Sequence, residues 1–292
     1  CYILKVSFYL GDTMVNIVKN RNLFFPILIV FLFPTSSFAE KGIWSFTPYG
    51  GAILATSRNM VESKAWSLNG AITLSDGSQL SGTVAADVNE LSFDDTHDIP
   101  VLTGFDVGYF LSDDFEVFGG FQYIAADGKS TKAIDITAAG NFTDAAGTIT
   151  AIGVTDTVNV LFDDYDSWAL KVGATKYFLM SNFTPYIGGY AGYKHVDDMN
   201  VKLTLASAAN VSGNIKFYDE TDTGYFGIHT GINKSLILGG IPLDFGVRAR
   251  LDYTPELDSN NSDTSLIAGG NETHDSDGGV DFGFTGQLSI PF

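Results

Sequence analysis

Apolar residues fall on every second position through most of the chain beyond residue 39, and helical spacing of apolar residues is scarce there. Such alternation predicts β-strands with one apolar and one polar face. It is clearest over 280–292, where Val280, Phe282, Phe284, Gly286, Leu288, Ile290 and Phe292 share one face. Asp281, Gly283, Thr285, Gln287, Ser289 and Pro291 share the other. The same division recurs over 241–254: Ile241, Leu243, Phe245, Val247, Ala249, Leu251 and Tyr253 alternate with Asp244, Gly246, Arg248, Arg250, Asp252 and Thr254.

Short turns then group the strands into hairpins. Phe105, Val107, Tyr109 and Leu111 lead into Ser112-Asp113-Asp114 and return through Phe115, Val117, Phe121 and Tyr123. Trp168, Leu170, Val172 and Phe178 run to Ser181-Asn182 and return through Phe183, Ile187 and Tyr193. Phe226, Ile228 and Ile232 reach Gly239-Gly240, a pair suited to a two-residue hairpin turn, before the 241–254 strand. With a first strand at about 43–56 and the last at 280–292, eight strands are predicted. The other connections, roughly 57–99, 126–166, 196–222 and 255–279, are long. Strict alternation of short turns with long loops, on strands longer than the ~9–11 residues needed to cross a bilayer at a tilt, predicts an all-β, antiparallel up-and-down transmembrane barrel with long extracellular loops. Ten to fourteen strands is the alternative. Trp66, Leu68, Ile72 and Leu74, then Leu80 to Val88, also alternate, as do Val201, Leu203 and Leu205 opposite Ile215 and Phe217. Their poverty in aromatic residues favours hairpins standing above the membrane, because spanning strands carry aromatic girdles.

The first 39 residues read as an address. Residues 1–13 precede Met14 and are expected to be a start-site artefact; 14–39 form a signal peptide, and 40–292 form the barrel. Lys19 and Arg21 supply the basic segment, Leu23 to Phe33 the apolar one, and Ser37-Phe38-Ala39 the small residues before a cut after Ala39. An apolar run of about 11 residues is too short for a spanning helix, which needs about 20.

Export, an even strand count and the alternating loop lengths agree with one another. On the terminal strand ending in Phe292, and on Gly104-Phe105-Asp106-Val107-Gly108-Tyr109-Phe110-Leu111 continuing at Phe115, the chain resembles the small eight-stranded outer-membrane barrels of the OmpA, OmpX and Opa type. The resemblance covers residues 40–292. It implies a Gram-negative outer-membrane protein with both termini in the periplasm, and Leu288, Ile290 and Phe292 as the signal read by the barrel-assembly machinery. Pro291 and Ile290 depart from the commoner residues of that signal.

Charge sharpens the picture. The chain of 292 residues has 16 basic and 34 acidic side chains, net −18, which excludes a sequence-independent nucleic-acid binder. A single cysteine excludes a disulfide scaffold or Cys-rich zinc site, and 45% apolar residues exclude general disorder. By position, the four long connections hold 25 acidic and 6 basic residues, whereas the rest of 40–292 holds 8 and 7. The acidity is therefore expected outside the barrel. Inward strand positions gather Asp106, Glu116, Lys171, Lys194, Asp244, Arg248, Arg250, Asp252 and Asp281, together with Gln122, Tyr186, Tyr190 and His229. A barrel of about eight strands is just filled by its side chains, so these charges predict a mutually neutralising lumenal network.

Signals for chemistry fail individually. Asp127-Gly128-Lys129-Ser130 ends like a phosphate loop, but Tyr123 occupies the first required glycine position and no helix is predicted to follow. His97, His195, His229 and His274 lack metal-ligand spacing. Asp275-Ser276-Asp277-Gly278 and the stretch Asp258 to Asp263 resemble fragments of calcium loops but complete no twelve-residue pattern. Lipid A deacylases place a serine two residues after a histidine on the outer face; here His229 is followed by Thr230-Gly231 and has inward phase. The expectation is a non-enzymatic barrel without cofactor or metal, displaying acidic loops for surface structure and interaction. Its expected partners are outer-membrane lipids, lipopolysaccharide, the assembly machinery and an unidentified extracellular ligand. A narrow porin-like channel is the alternative, and an enzyme on outer-leaflet lipid a distant third.

Overall fold

The structure, a computed structural model, describes residues 41–61, 64–73, 78–144, 146–180, 182–207, 212–255 and 278–292. The start-site and signal segments with Ala39, the stretch 258–263, residues 275–277 and His274 lie outside the described residues. Those residues form strands β1 (Trp44–Thr56), β2 (Asn59–Val61), β3 (Lys64–Thr73), β4 (Gln79–Val88) and β5 (Leu91–Ser92), then helix α1 (Phe93–Thr96). Next come β6 (Val101–Ser112), β7 (Phe115–Ala126), β8 (Ser130–Thr143), β9 (Ile149–Phe162), β10 (Tyr165–Tyr177) and β11 (Thr184–Val196). The chain ends with β12 (Met199–Leu205), β13 (Ser212–Tyr218), β14 (Thr221–Leu238), β15 (Ile241–Thr254) and β16 (Gly279–Pro291).

Eight strands close a barrel in the order β1-β16-β15-β14-β11-β10-β7-β6, with β6 returning to β1 and every pairing antiparallel. The eight predicted strands are these, and the ten-to-fourteen alternative is excluded because the additional strands pair elsewhere. Outward positions are apolar: Leu170, Val172, Phe226, Ile228, Phe245 and Val247 are each more than half exposed. Aromatic pairs mark the two ends of this belt, with Trp44 and Tyr109 centred 5.0 Å apart at one and Trp168 and Tyr193 5.6 Å apart at the other. An apolar belt between aromatic girdles is the exterior of a transmembrane barrel. Among the described residues no helix is long and apolar enough to cross a membrane.

At the turn end, Leu238 pairs with Ile241 across Gly239 (φ 61°) and Gly240 (φ 87°). Two consecutive positive φ values match the twist of the flanking strands, which explains the Gly-Gly pair. Ser112 pairs with Phe115 across Asp113-Asp114. The barrel seam closes here as well: the Trp44 N–H donates to the Phe292 carbonyl (3.2 Å) and the Phe292 N–H to the Trp44 carbonyl (2.9 Å).

The long connections hold the main departure from the sequence reading. Hairpins β3–β4 and β12–β13 form where alternation predicts them, but 126–166 also contains a hairpin of two fourteen-residue strands, β8 and β9. Its period-two signal is faint because Ala, Gly and Thr occupy so many of its positions. The three hairpins then join edge to edge, β4 to β8 and β9 to β12, into one six-stranded sheet, β13-β12-β9-β8-β4-β3. Joining covers strand edges that separate hairpins would expose.

Beneath this sheet lies a conventional apolar core. Met60, Leu91 and Phe93 from the first connection meet Phe162 from the second and Met199, Val201 and Tyr218 from the third. They pack onto Ile53, Leu102, Ile124 and Ala126, inward residues at the loop ends of their barrel strands. The Tyr218 hydroxyl donates to the Met60 carbonyl, tying the third connection to the first. The cap therefore closes the loop-end mouth.

His97 follows α1 within this core, stacked on Phe93 at 4.5 Å with Nε2 3.1 Å from the Asp163 carbonyl oxygen and Nδ1 2.8 Å from Thr96 Oγ1. Burial pushes its imidazole down to about 4, against the smaller opposing effect of the Asp163 carbonyl. An opened cap, whose His97 titrates near 6.5, binds the proton more readily. The stability His97 contributes is thus full above about pH 6.5 and is lost as pH falls toward 4. Acid-protease digestion of membrane-inserted protein should cut the cap progressively faster across that window. In His97→Gln this component of the pH dependence should disappear.

Candidate functional site

The lumen is built by the inward half of each alternating strand, and its central tier is a bridged carboxylate. Asp106 on β6 forms an ion pair with Lys171 Nζ on β10 (2.9 Å) and accepts a hydrogen bond from Arg248 Nη1 on β15 (2.9 Å), reaching across the barrel. All three side chains are buried. Aromatic faces supplement the pairing: Lys171 Nζ lies 4.7 Å from the Tyr49 ring centre and 4.9 Å from that of Tyr190, and the Arg248 guanidinium lies 5.3 Å from Tyr49. On the adjoining tier Arg250 pairs with Asp252, which also accepts from the Tyr190 hydroxyl. His229 stacks on Tyr190 at 5.7 Å, with Nε2 3.1 Å from Thr175 Oγ1.

Asp106, Lys171, Arg248, Arg250 and Asp252 are thus brought into ion pairs. The other four predicted lumenal charges are buried but form no ion pair among the described residues, so the expected network neutralises only part of the lumen. Glu116, toward the turn end, accepts from Ser45 Oγ (2.5 Å) and the Tyr177 hydroxyl (2.6 Å). Asp244 is buried at the same end. At the loop end Lys194 donates to Thr254 Oγ1 (3.3 Å), and Asp281 lies in the wall of a small cavity. Of the residues expected to form an assembly signal, Leu288 and Ile290 lie on β16 and Phe292 closes the seam.

Sequence reasoning missed three contributors. Tyr49 lies on the first strand with inward phase and supplies a cation-binding face. Arg58 sits just after β1 in a connection and so carries no strand phase. Inward glycines are the third: a Cβ on Gly120 would stand 2.2 Å from Asp106 Oδ1 and 2.9 Å from Lys171 Cε, and one on Gly108 would stand 1.8 Å from Glu116 Oε1. These positions make room for the long side chains opposite, and their signal was glycine recurring in the phase of the charges.

The residues that the sequence offered for chemistry do not converge on one site. His229 faces the lumen, whereas Thr230 donates to the Tyr186 carbonyl within the wall (2.9 Å), so the two do not combine. Gly128 bridges His97, its N–H donates to Asp164 Oδ1 (3.2 Å), and Lys129 pairs with Asp98 (3.2 Å); β8 follows in place of a phosphate-loop helix. His195 lies between Asp222 (2.6 Å) and Asp197 (3.3 Å) against Trp168, an outer-rim contact. Among the described residues no group of three or more His, Cys, Asp or Glu side chains is placed to hold a metal ion.

No family model and no curated protein matches the chain in sequence. Solved structures similar to it include Neisserial surface protein A, at 10% identity and TM-score 0.34 over 86% of this chain and 98% of that one. The N-terminal barrel domain of Pseudomonas aeruginosa OprF is 12% identical with TM-score 0.26 (86% and 98% covered). The Escherichia coli outer membrane protease OmpT is 11% identical with TM-score 0.37 (88% and 99% covered). These are likenesses of fold. The closed sheet, apolar belt and polar lumen define the class: a small eight-stranded β-barrel of the outer-membrane kind.

Truncating one member of a buried ion cluster leaves the others uncompensated. Asp106→Ala should therefore cost about 3–5 kcal/mol, read from urea unfolding in lipid vesicles. The triple variant Asp106→Ala, Lys171→Met, Arg248→Met should recover most of that loss.

Proposed function

We propose that this chain is an integral outer-membrane protein of a Gram-negative bacterium that holds a structured, acidic surface outside the cell, with a structural and surface-interaction role. The observation that carries the reading is the closed mouth: a lumen filled by charged and aromatic side chains, covered by the core under the six-stranded sheet. A porin-like conduit would require both to move. In this reading the turn end, where residues 41–44 meet Phe292, faces the periplasm, and the cap faces outward. The signal would be cut after Ala39, and Leu288, Ile290 and Phe292 would serve assembly. Outer-membrane lipid and lipopolysaccharide meet the belt and rim, and an external ligand would meet the cap.

One similar structure is a protease, but here the lumenal histidine is engaged by Thr175 and aromatic rings, which supports a non-enzymatic role. The acidity of the long connections would keep the exterior hydrated.

Refolded protein in planar bilayers should give no reproducible discrete openings; regular unitary currents would establish a conduit instead. Orientation is checked on whole cells in a Cys1→Ser background. A membrane-impermeant maleimide should label Thr148→Cys at the β8–β9 tip and leave Asp113→Cys at the turn unlabelled.

A further inference from the structure

At the level where the barrel mouth meets the cap, the molecule buries positive charge that its own carboxylates do not balance. Arg58 is 2% exposed, and its Nε and Nη2 atoms are buried without a hydrogen-bond partner. Among the described residues it forms no ion pair. Lys194, also 2% exposed, reaches the same place from β11, held by Thr254 Oγ1 (3.3 Å) and the Tyr165 ring face (5.8 Å). Between them lies a cavity of about 10 Å³, lined also by Thr56, Tyr165 and Asp281.

Asp281 is the single carboxylate in that lining, against two cations. The lumenal carboxylates that could restore neutrality are committed elsewhere. Asp106 is shared by Lys171 and Arg248, Asp252 is taken by Arg250, and Glu116 and Asp244 sit toward the opposite end of the barrel. Tyr165 and Asp281 neighbour the Arg58 guanidinium but leave its Nε and Nη2 without acceptors, and buried N–H groups left unsatisfied on a charged side chain are costly.

We propose that this cavity binds one halide-sized anion between Arg58 and Lys194. Size selects the class. A space of about 10 Å³ accepts a single water-sized particle, which fits chloride and excludes phosphate or a carboxylate ligand. Chemistry selects anion over water: a water could take one of the free Arg58 N–H groups but would leave the local charge uncompensated. The cap core overhead, built from Phe93 and its neighbours, makes the ion part of the folded mouth and links its occupancy to closure of the cap.

The test uses the full chain refolded into detergent micelles in sodium chloride, sodium bromide or sodium gluconate at equal ionic strength. The readout is the temperature at which the compact band on unboiled gels converts to the unfolded one. Both halides should raise that midpoint by several degrees over gluconate, and Arg58→Gln and Lys194→Gln should each lose most of the difference. Equal midpoints in halide and gluconate would mean a water-filled cavity and overturn the proposal. A halide effect undiminished in the variants would place the ion elsewhere and overturn it too. If Arg58→Gln does not fold, Lys194→Gln carries the comparison. Anomalous scattering from bromide-refolded crystals gives an independent answer: a peak between Arg58 and Lys194 supports the site, and its absence refutes it.

Discussion

Every backbone N–H and C=O carried into hydrocarbon must find a partner within the protein, and the rest of this molecule answers that constraint. A sheet satisfies it only by closing, because an open edge would leave a row of unpaired groups facing lipid. Closure sets which face is apolar. The outside must match lipid tails, so Leu170, Val172, Phe226 and Ile228 point outward, and the polar members of each alternating strand are forced into the lumen. The buried charges of the barrel are thus a consequence of topology rather than an addition to it.

Once inside, those charges must be paired, and an eight-stranded cylinder leaves little freedom over how. Asp106 serves two cations because Lys171 and Arg248 arrive from different sides of the cylinder. Tyrosine rings take over where no second carboxylate is near: Tyr49 and Tyr190 both flank the Lys171 ammonium. The same crowding explains Gly120, where any side chain would collide with Asp106 and Lys171. Charge, ring and glycine positions on different strands therefore depend on one another, and the lumen behaves as one packed unit.

How much of this was legible depends on whether a feature is local. The barrel strands follow from period two with large residues, as over 280–292, and Gly239-Gly240 announced its turn because positive φ at both positions leaves few other choices. The phase of Asp106 or Arg248 followed from the same alternation. Their partners did not, since facing across a cylinder depends on strand order and stagger, which no stretch of one strand contains. Arg58 was invisible because it lies in a connection and enters the mouth only through the cap. The β8–β9 hairpin was faint because its alternation is written in Ala, Gly and Thr. Its union with neighbouring hairpins is a matter of edges meeting in space.

The mouth is where two opposite solutions to burial meet. Below it, inward residues are polar and outward residues apolar; in the cap above, the interior is apolar as in a water-soluble domain. Single strands carry the switch along one face: β6 passes from Asp106 to Leu102, β7 from Gln122 to Ile124, and β1 from Thr47 to Ile53. Such a boundary is difficult to satisfy with protein groups alone. Charges at its edge have apolar core on one side and an already paired network on the other. Arg58 and Lys194 stand on that boundary, and the small cavity between them lies where neither solution extends to completion. A mouth sealed this way ties the cap to the barrel through buried charge as well as apolar contact, so a disturbance of the cap is transmitted to the top of the lumen through residues that touch both.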